Sequence, residues 1–81
     1  SKRAEAEALF FAGNGQMADG DLAGAEASFR AALELAPDFA EAHANFAYLL
    51  ERAGALPEAE AHYRHSIAAD PGIAQLLGDG A

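Results

Sequence analysis

Displaced by 34 residues, the chain falls onto itself. Gly20 meets Gly54, Ala25 meets Ala59, Phe29 meets Tyr63, Arg30 meets Arg64 and Pro37 meets Pro71. Glu7 likewise meets Glu41, Leu22 meets Leu56, and Glu26-Ala27 meets Glu60-Ala61. A period of this length fits one pair of helices per repeat. Such a pair cannot bury its apolar face alone, so it must stack on a neighbour. The architecture is thereby restricted to a row of helix pairs, an arrangement that binds other proteins far more often than it catalyses.

The punctuation inside each period places the helices. The first runs over about Lys2–Ala18, with Leu9, Phe10, Ala12, Gly13, Gln16 and Met17 at helical spacing. Gly13 and Gly15 both weaken it, by roughly 1 kcal/mol each relative to Ala. A small residue at Gly13 would let a second helix approach, whereas Gly15 offers no such reason. Asp19-Gly20-Asp21 is a turn, and Asp21 is the expected N-cap of a second helix, Leu22–Ala36. Its apolar face is Leu22, Ala25, Phe29, Ala32, Leu33 and Leu35. Pro37 ends it by disfavouring helical backbone in the preceding residue.

Asp38 is expected to cap a third helix, Phe39–Ala53, with Glu41 completing a capping-box-like pair. Gly54 is expected in the left-handed conformation that closes that helix. Pro57 opens a fourth, with Glu58 and Glu60 near its positive end, and it runs to about Ala69. Asp70-Pro71-Gly72 breaks the chain again before a short fifth helix, Ile73–Leu77. The expected fold class is therefore all-α.

Composition agrees. Alanine is abundant, and the β-branched residues are confined to Ile67 and Ile73. The few aromatics are Phe10, Phe11, Phe29, Phe39, Phe46, Tyr48 and Tyr63, so a core rich in Ala must bring its helices close. The net charge of −8 carries no basic stripe and argues against nucleic acid as a partner. Without cysteine there can be no disulfide, thiolate metal site or cysteine nucleophile in these residues. No apolar run approaches the roughly 18 residues of a membrane span. No leader is expected either, since Ser1-Lys2-Arg3 leads straight into an amphipathic segment.

The repeated residues resemble the tetratricopeptide repeat. On that resemblance the first repeat is residues 6–39, the second residues 40–73, and residues 73–77 form a short capping helix, all within one domain of residues 1–81. The family's small residues at helix crossings correspond to Gly13 and Ala47, Ala25 and Ala59, and Ala32 and Ser66. Its aromatic between hairpins corresponds to Phe29 and Tyr63, its turn glycine to Gly20 and Gly54, and its proline to Pro37 and Pro71. Departures concentrate in the first helix of each repeat. The usual Trp is Leu9 and then His43. A large apolar position holds Ala12 and then Phe46, and another holds Gln16 and then Leu50. The first repeat is thus expected to pack loosely. The implied fold is a right-handed superhelix of antiparallel helix–turn–helix pairs.

The resemblance also implies a function: a protein–protein interaction scaffold that holds a peptide in a concave groove lined by the first helix of each repeat. The groove-facing residues would be Glu7, Phe10, Phe11, Asn14, Met17 and Ala18, then Glu41, Ala44, Asn45, Tyr48, Glu51 and Arg52. Phe11 and Asn45 are expected at its edge, partly shielded. Asn14 and Asn45 stand where related proteins hold a peptide backbone, an amide being donor and acceptor together. The basic residues of the family's carboxylate clamp are absent, their positions being Phe10, Gln75 and Asp79. Phe10, Met17 and Tyr48, ringed by Glu7, Glu41 and Glu51, suit a peptide with apolar anchors and a basic flank. The bland alternative is that Phe10 and Met17 simply pack against a neighbouring helix.

His62 and His65 lie one turn apart, with Glu58 one turn before His62, a spacing that can place zinc ligands on one face. A third strong ligand is missing and His43 sits on another helix, so no metal and no cofactor is expected. His62 and His65 are read as solvated, and His43 as packing by its ring edge. Nothing resembles a catalytic constellation. Gly13-Asn14-Gly15 lacks the strand and lysine of a phosphate loop, and Ser28 and Ser66 have no supporting triad. The chain is not expected to be an enzyme by itself. An alternative is a regulatory or substrate-docking segment of a larger enzyme such as a glycosyltransferase or methyltransferase. Two repeats form a short stack, so further repeats in a longer parent or a homodimer are expected to cover its ends. Leu76 and Leu77 are expected to cap the ridge around Ile67, and a cytoplasmic setting is expected.

Overall fold

The computed structural model describes residues 1–78. They form five helices: α1 (Lys2–Ala18), α2 (Leu22–Leu35), α3 (Ala40–Arg52), α4 (Leu56–Ala69) and α5 (Ile73–Gly78). No strand occurs among the described residues. α1 packs along α2 and α3 along α4, giving two hairpins; α3 bridges them through α2 and α1, and α5 rests on α4.

Both hairpins turn through the same device. Gly20 and Gly54 adopt φ of 83° and 85°. Only a residue without a side chain enters that region at little cost. Each turn then closes two bonds back to its helix. Gly20 and Asp21 donate to Met17 and Gln16, and Gly54 and Ala55 donate to Glu51 and Leu50. This pair of bonds satisfies carbonyls that the helix end would otherwise leave unpartnered.

The helix starts differ from one another. Ser1 Oγ accepts from Ala4 N at 3.1 Å and Asp21 Oδ1 from Gly24 N at 3.0 Å. The expected cap at Asp38 does not form. α3 starts at Ala40, its N-cap is Phe39, and no side chain caps it. Phe39 is buried instead, sandwiched between the Phe10 ring at 5.0 Å and the Arg3 guanidinium at 4.1 Å. Burying an aromatic there outweighs one exposed cap bond, worth only about 1 kcal/mol. α2 correspondingly stops at Leu35, and Ala36 is already non-helical (φ −139°, ψ 82°).

Small residues occupy the crossings, as the repeat implies. Ala25, Ala32, Ala47, Ala59 and Ser66 are buried, and Gly13 is too. A Cβ on Gly13 would stand 2.7 Å from Cε1 of Phe29, so the ring fills the space that the missing side chain leaves. Phe29 also meets Phe46 across the hairpins, with ring centroids 6.1 Å apart. Around them lie Ala25, Leu49, Leu50 and Ala59, while Ala6, Ala32, Ala36, Phe39 and Ala42 form a second cluster.

Of the two first helices, α1 buries far less than α3: only Ala6 and Gly13, against seven residues of α3, and no more than the two, Ala59 and Ser66, that α4 buries. Where the second repeat has Leu50, Gln16 builds a polar joint. Its amide nitrogen, oriented toward the carbonyls of Ala12 (3.2 Å) and Gly24 (3.0 Å), lies 2.6 Å from Ser28 Oγ. The expected C-terminal cap is only partly realised. Ile73 is buried against the stack and Leu77 is near Ile67, but Leu76 is 74% exposed.

Candidate functional site

α1 and α3 touch, and residues of their C-terminal halves line a cavity of about 580 Å³. Met17, Ala18, Leu22, Tyr48 and Leu49 make its apolar wall, and Asn14 and Arg52 give it polar groups. Leu49 is buried and forms the floor. Tyr48 and Leu22 stand at the walls, each 47% exposed. Gly20 completes the lining, so the tight turn between α1 and α2 doubles as one rim.

Asn14 is held from behind. Asn45 Nδ2 donates to Asn14 Oδ1 at 2.8 Å, a bond that joins the two hairpins. The bond leaves Asn14 Nδ2 free to donate and Asn45 Oδ1 free to accept. Arg52 is held by Tyr48: its guanidinium lies 5.7 Å from the ring centre, and Nη1 donates to the phenol oxygen at 3.2 Å. No carboxylate forms an ion pair with Arg52 among the described residues, whereas Arg3, Arg30 and Arg64 pair with Glu7, Glu26 and Glu60 one turn away.

The structure thus brings together Asn14, Met17, Ala18, Tyr48 and Arg52 of the expected groove residues, with Asn45 behind them. Others go elsewhere. Phe10 is half-buried and packs on both core clusters, its ring 5.0 Å from Phe39 and 6.3 Å from Phe29. Phe11, expected to be shielded, is 68% exposed, because α1 has no neighbour on that side. Glu7 is exposed and paired with Arg3 at 3.5 Å; Glu41 is exposed on the first turn of α3. Glu51, next to Tyr48 around the helix, leans toward α4 rather than into the cavity. There it accepts from the Tyr63 hydroxyl at 2.9 Å and borders a depression with Ile67 and Leu77. Burial and that bond push the Tyr63 phenol up to about 12. Ala44 is half-buried and outside the cavity lining. Asp79 lies outside the described residues.

Leu22, Leu49 and Gly20 line the cavity without having been expected there. Leu22 was expected on the buried face of α2, but as the first residue of that helix, beside the Gly20 turn, it is half-exposed and lines the cavity. Helical spacing assigns residues to a face without stating how far along the helix that face is covered.

One of the histidines also departs from expectation. His62 is not solvated: its side chain is only 18% exposed, and its Nδ1 lies 3.0 Å from Nδ1 of His43. His43 is buried; its ring meets His62 edge to edge through the two Nδ1 atoms, as expected of an edge contact, and lies nearly parallel to the His65 ring with centroids 5.1 Å apart. The cluster does not amount to a metal site. Among the described residues, no three of His, Cys, Asp and Glu are placed to hold a metal ion. No described helix is long and apolar enough to cross a membrane.

Stacked antiparallel hairpins, crossings of small residues and a concavity between successive first helices define a helical repeat protein, a class of interaction modules rather than catalysts. A sequence profile of the family described as Tetratricopeptide repeat matches residues 16–79, most of the chain. The chain belongs to the tetratricopeptide repeat family, whose repeats are non-catalytic and generally mediate protein–protein interaction. No curated protein matches the chain.

Proposed function

We propose that this protein binds a peptide segment of a partner in the cavity between α1 and α3. We read residues 6–39 and 40–73 as the two repeats that frame it, with residues 73–77 as their cap. One observation carries the reading: an apolar concavity with a preorganised amide in its lining. Met17, Leu22, Tyr48 and Leu49 offer a site for one apolar side chain. Asn14, locked by Asn45, offers a hydrogen bond to the peptide unit beside it. Holding the amide in place beforehand reduces the ordering cost of binding.

The partner's apolar anchor is flanked by basic residues, in keeping with a chain of net charge −8. Arg52 at the cavity wall works against that flank, which makes it a discriminating position. Screening a peptide library against the protein, then titrating the best binders, tests the reading. Tyr48→Ala and Asn14→Ala should each weaken the selected peptide at least tenfold while leaving the helical circular dichroism unchanged. Arg52→Glu should tighten a basic-flanked peptide. If Arg52→Glu abolished binding instead, the flank would be acidic. If neither Tyr48→Ala nor Asn14→Ala altered affinity, the cavity would not be the binding site.

A further inference from the structure

The histidine cluster is built so that its proton count is limited by geometry. His43 Nε2 lies 2.7 Å from the carbonyl oxygen of Pro37. A carbonyl only accepts, so Nε2 must carry hydrogen. In neutral His43 the other nitrogen, Nδ1, is then bare and accepts. The atom facing it at 3.0 Å is His62 Nδ1, which must therefore be the donor. His62 Nε2 is left bare and faces Glu58 Oε2 at 3.7 Å.

This chain of contacts runs from the turn between the hairpins, through α3, to α4. It can take one proton and remain closed, because a proton on His62 Nε2 leaves the bond between the two Nδ1 atoms intact. A second proton has only His43 Nδ1 to occupy. Two N–H groups would then confront each other at 3.0 Å, and the contact must open.

The surrounding groups do not offset that limit. On α4, Glu58 faces His62 but is shared with Arg30 of α2, whose Nη2 reaches it at 2.9 Å. His65, also on α4, stacks on His43 and adds a third titratable ring. Asp38 in the turn favours a charged His43 only through space. On α2, Arg30 opposes a charge on His62, and Glu34 borders the same depression as that ring. From α3 itself comes Phe46, whose ring centre is 4.7 Å from that of His62 and offers no compensating charge.

We propose that His43 and His62 form a proton-operated latch that ties α4 and the Pro37 turn to α3, closed with at most one proton and opened by the second. Burial holds both rings below the ordinary histidine range; His65 opposes charge on each, and His43 opposes charge on His62. The sign follows from linkage. Above the unfolded histidine pKa of about 6.5 both states are neutral and the latch contributes fully. Below it, the open state binds protons that the closed state excludes. Each excluded proton then raises the open-to-closed ratio up to about tenfold per pH unit, until the folded pKa is passed.

Nuclear magnetic resonance of the unsubstituted chain between pH 8 and 4.5 tests this. His43 and His62 should titrate as a coupled pair below the ordinary histidine midpoint of about 6.5. Amide exchange in α4 and at residues 37–43, corrected for its intrinsic pH dependence, should rise about tenfold over one unit below pH 6. His43→Phe keeps an aromatic ring but removes the titrating atom, and the acid-induced rise should vanish. Independent titration of His43 and His62 at the ordinary midpoint, with α4 protection unchanged, would overturn the latch. So would an unaltered acid response in His43→Phe. Should that variant not fold, the titration of the unsubstituted chain decides alone.

Discussion

The Phe29 ring lies where a side chain on Gly13 would be. A Cβ there would come within 2.7 Å and 2.9 Å of two ring carbons of Phe29, a residue with no exposed surface. Such a ring has nowhere to go, so Gly13→Ala forces α1 and α2 apart. Overpacking costs typically 1–3 kcal/mol, and the helix regains up to about 1 from losing a glycine. The expected net loss is about 1–2 kcal/mol, read from the urea midpoint. Phe29→Leu in the Gly13→Ala background should recover part of it. At Gly15 nothing lies within 4 Å of the same built atom, so Gly15→Ala should stabilise by about 0.5–1 kcal/mol. Equal effects at the two glycines would refute the close-approach account.

Two aspartates that look alike beside their helices should behave differently. Asp21 accepts from Gly24 N, and Asp21→Ala should cost about 1 kcal/mol. Asp38 caps nothing and touches Arg3 only at 4.0 Å in an exposed setting. Asp38→Ala should stay within about 0.5 kcal/mol of the parent. Thermal unfolding of both variants at neutral pH checks the contrast, and a larger loss at Asp38 would mean that α3 is capped after all.

Tyr63 should ionise late. Its phenol is held at about 12, first by burial, then by the hydrogen bond to Glu51, then by the charge of Glu51 and of Tyr48. A raised acid pKa means that the folded chain prefers the neutral phenol. That preference contributes below pH 10 and is lost as pH rises from 10 through 12. Ultraviolet titration should show one tyrosine ionising near that value. Glu51→Gln should shift it downward, though not to 10, because burial remains. A midpoint of 10 in the parent would sink the assignment.

Much of the fold was legible because its determinants are local or strictly periodic. Turn glycines, prolines and small residues recur at fixed intervals, and each acts on backbone conformation or on the distance of one helix from the next. The same periodicity explains why α1 buries less than α3: Ala12 and Gln16 stand where α3 has Phe46 and Leu50. The Asp38 cap was misread because local propensity favoured it, whereas burial of Phe39 against Phe10 and Arg3, both on α1, won.

The candidate site was legible only in part. Asn14, Met17, Tyr48 and Arg52 reach the cavity, but Phe10 turns into the core and Glu51 leans onto Tyr63 of α4. A helical pattern states which residues share a face. It does not state how far that face is rotated toward a groove, and a rotation of one residue exchanges wall for core.

What the sequence determined by itself is therefore the repeat, the number of helices and the close crossings, with helix ends set to within a residue, since these follow from backbone preference and side-chain size. The tertiary structure alone decided that Asn45 steadies Asn14, that Leu22 and Leu49 help to line the cavity, and that His43 meets His62. Those pairs join separate helices, and whether their atoms meet depends on helix rotation and crossing geometry, which no single segment encodes.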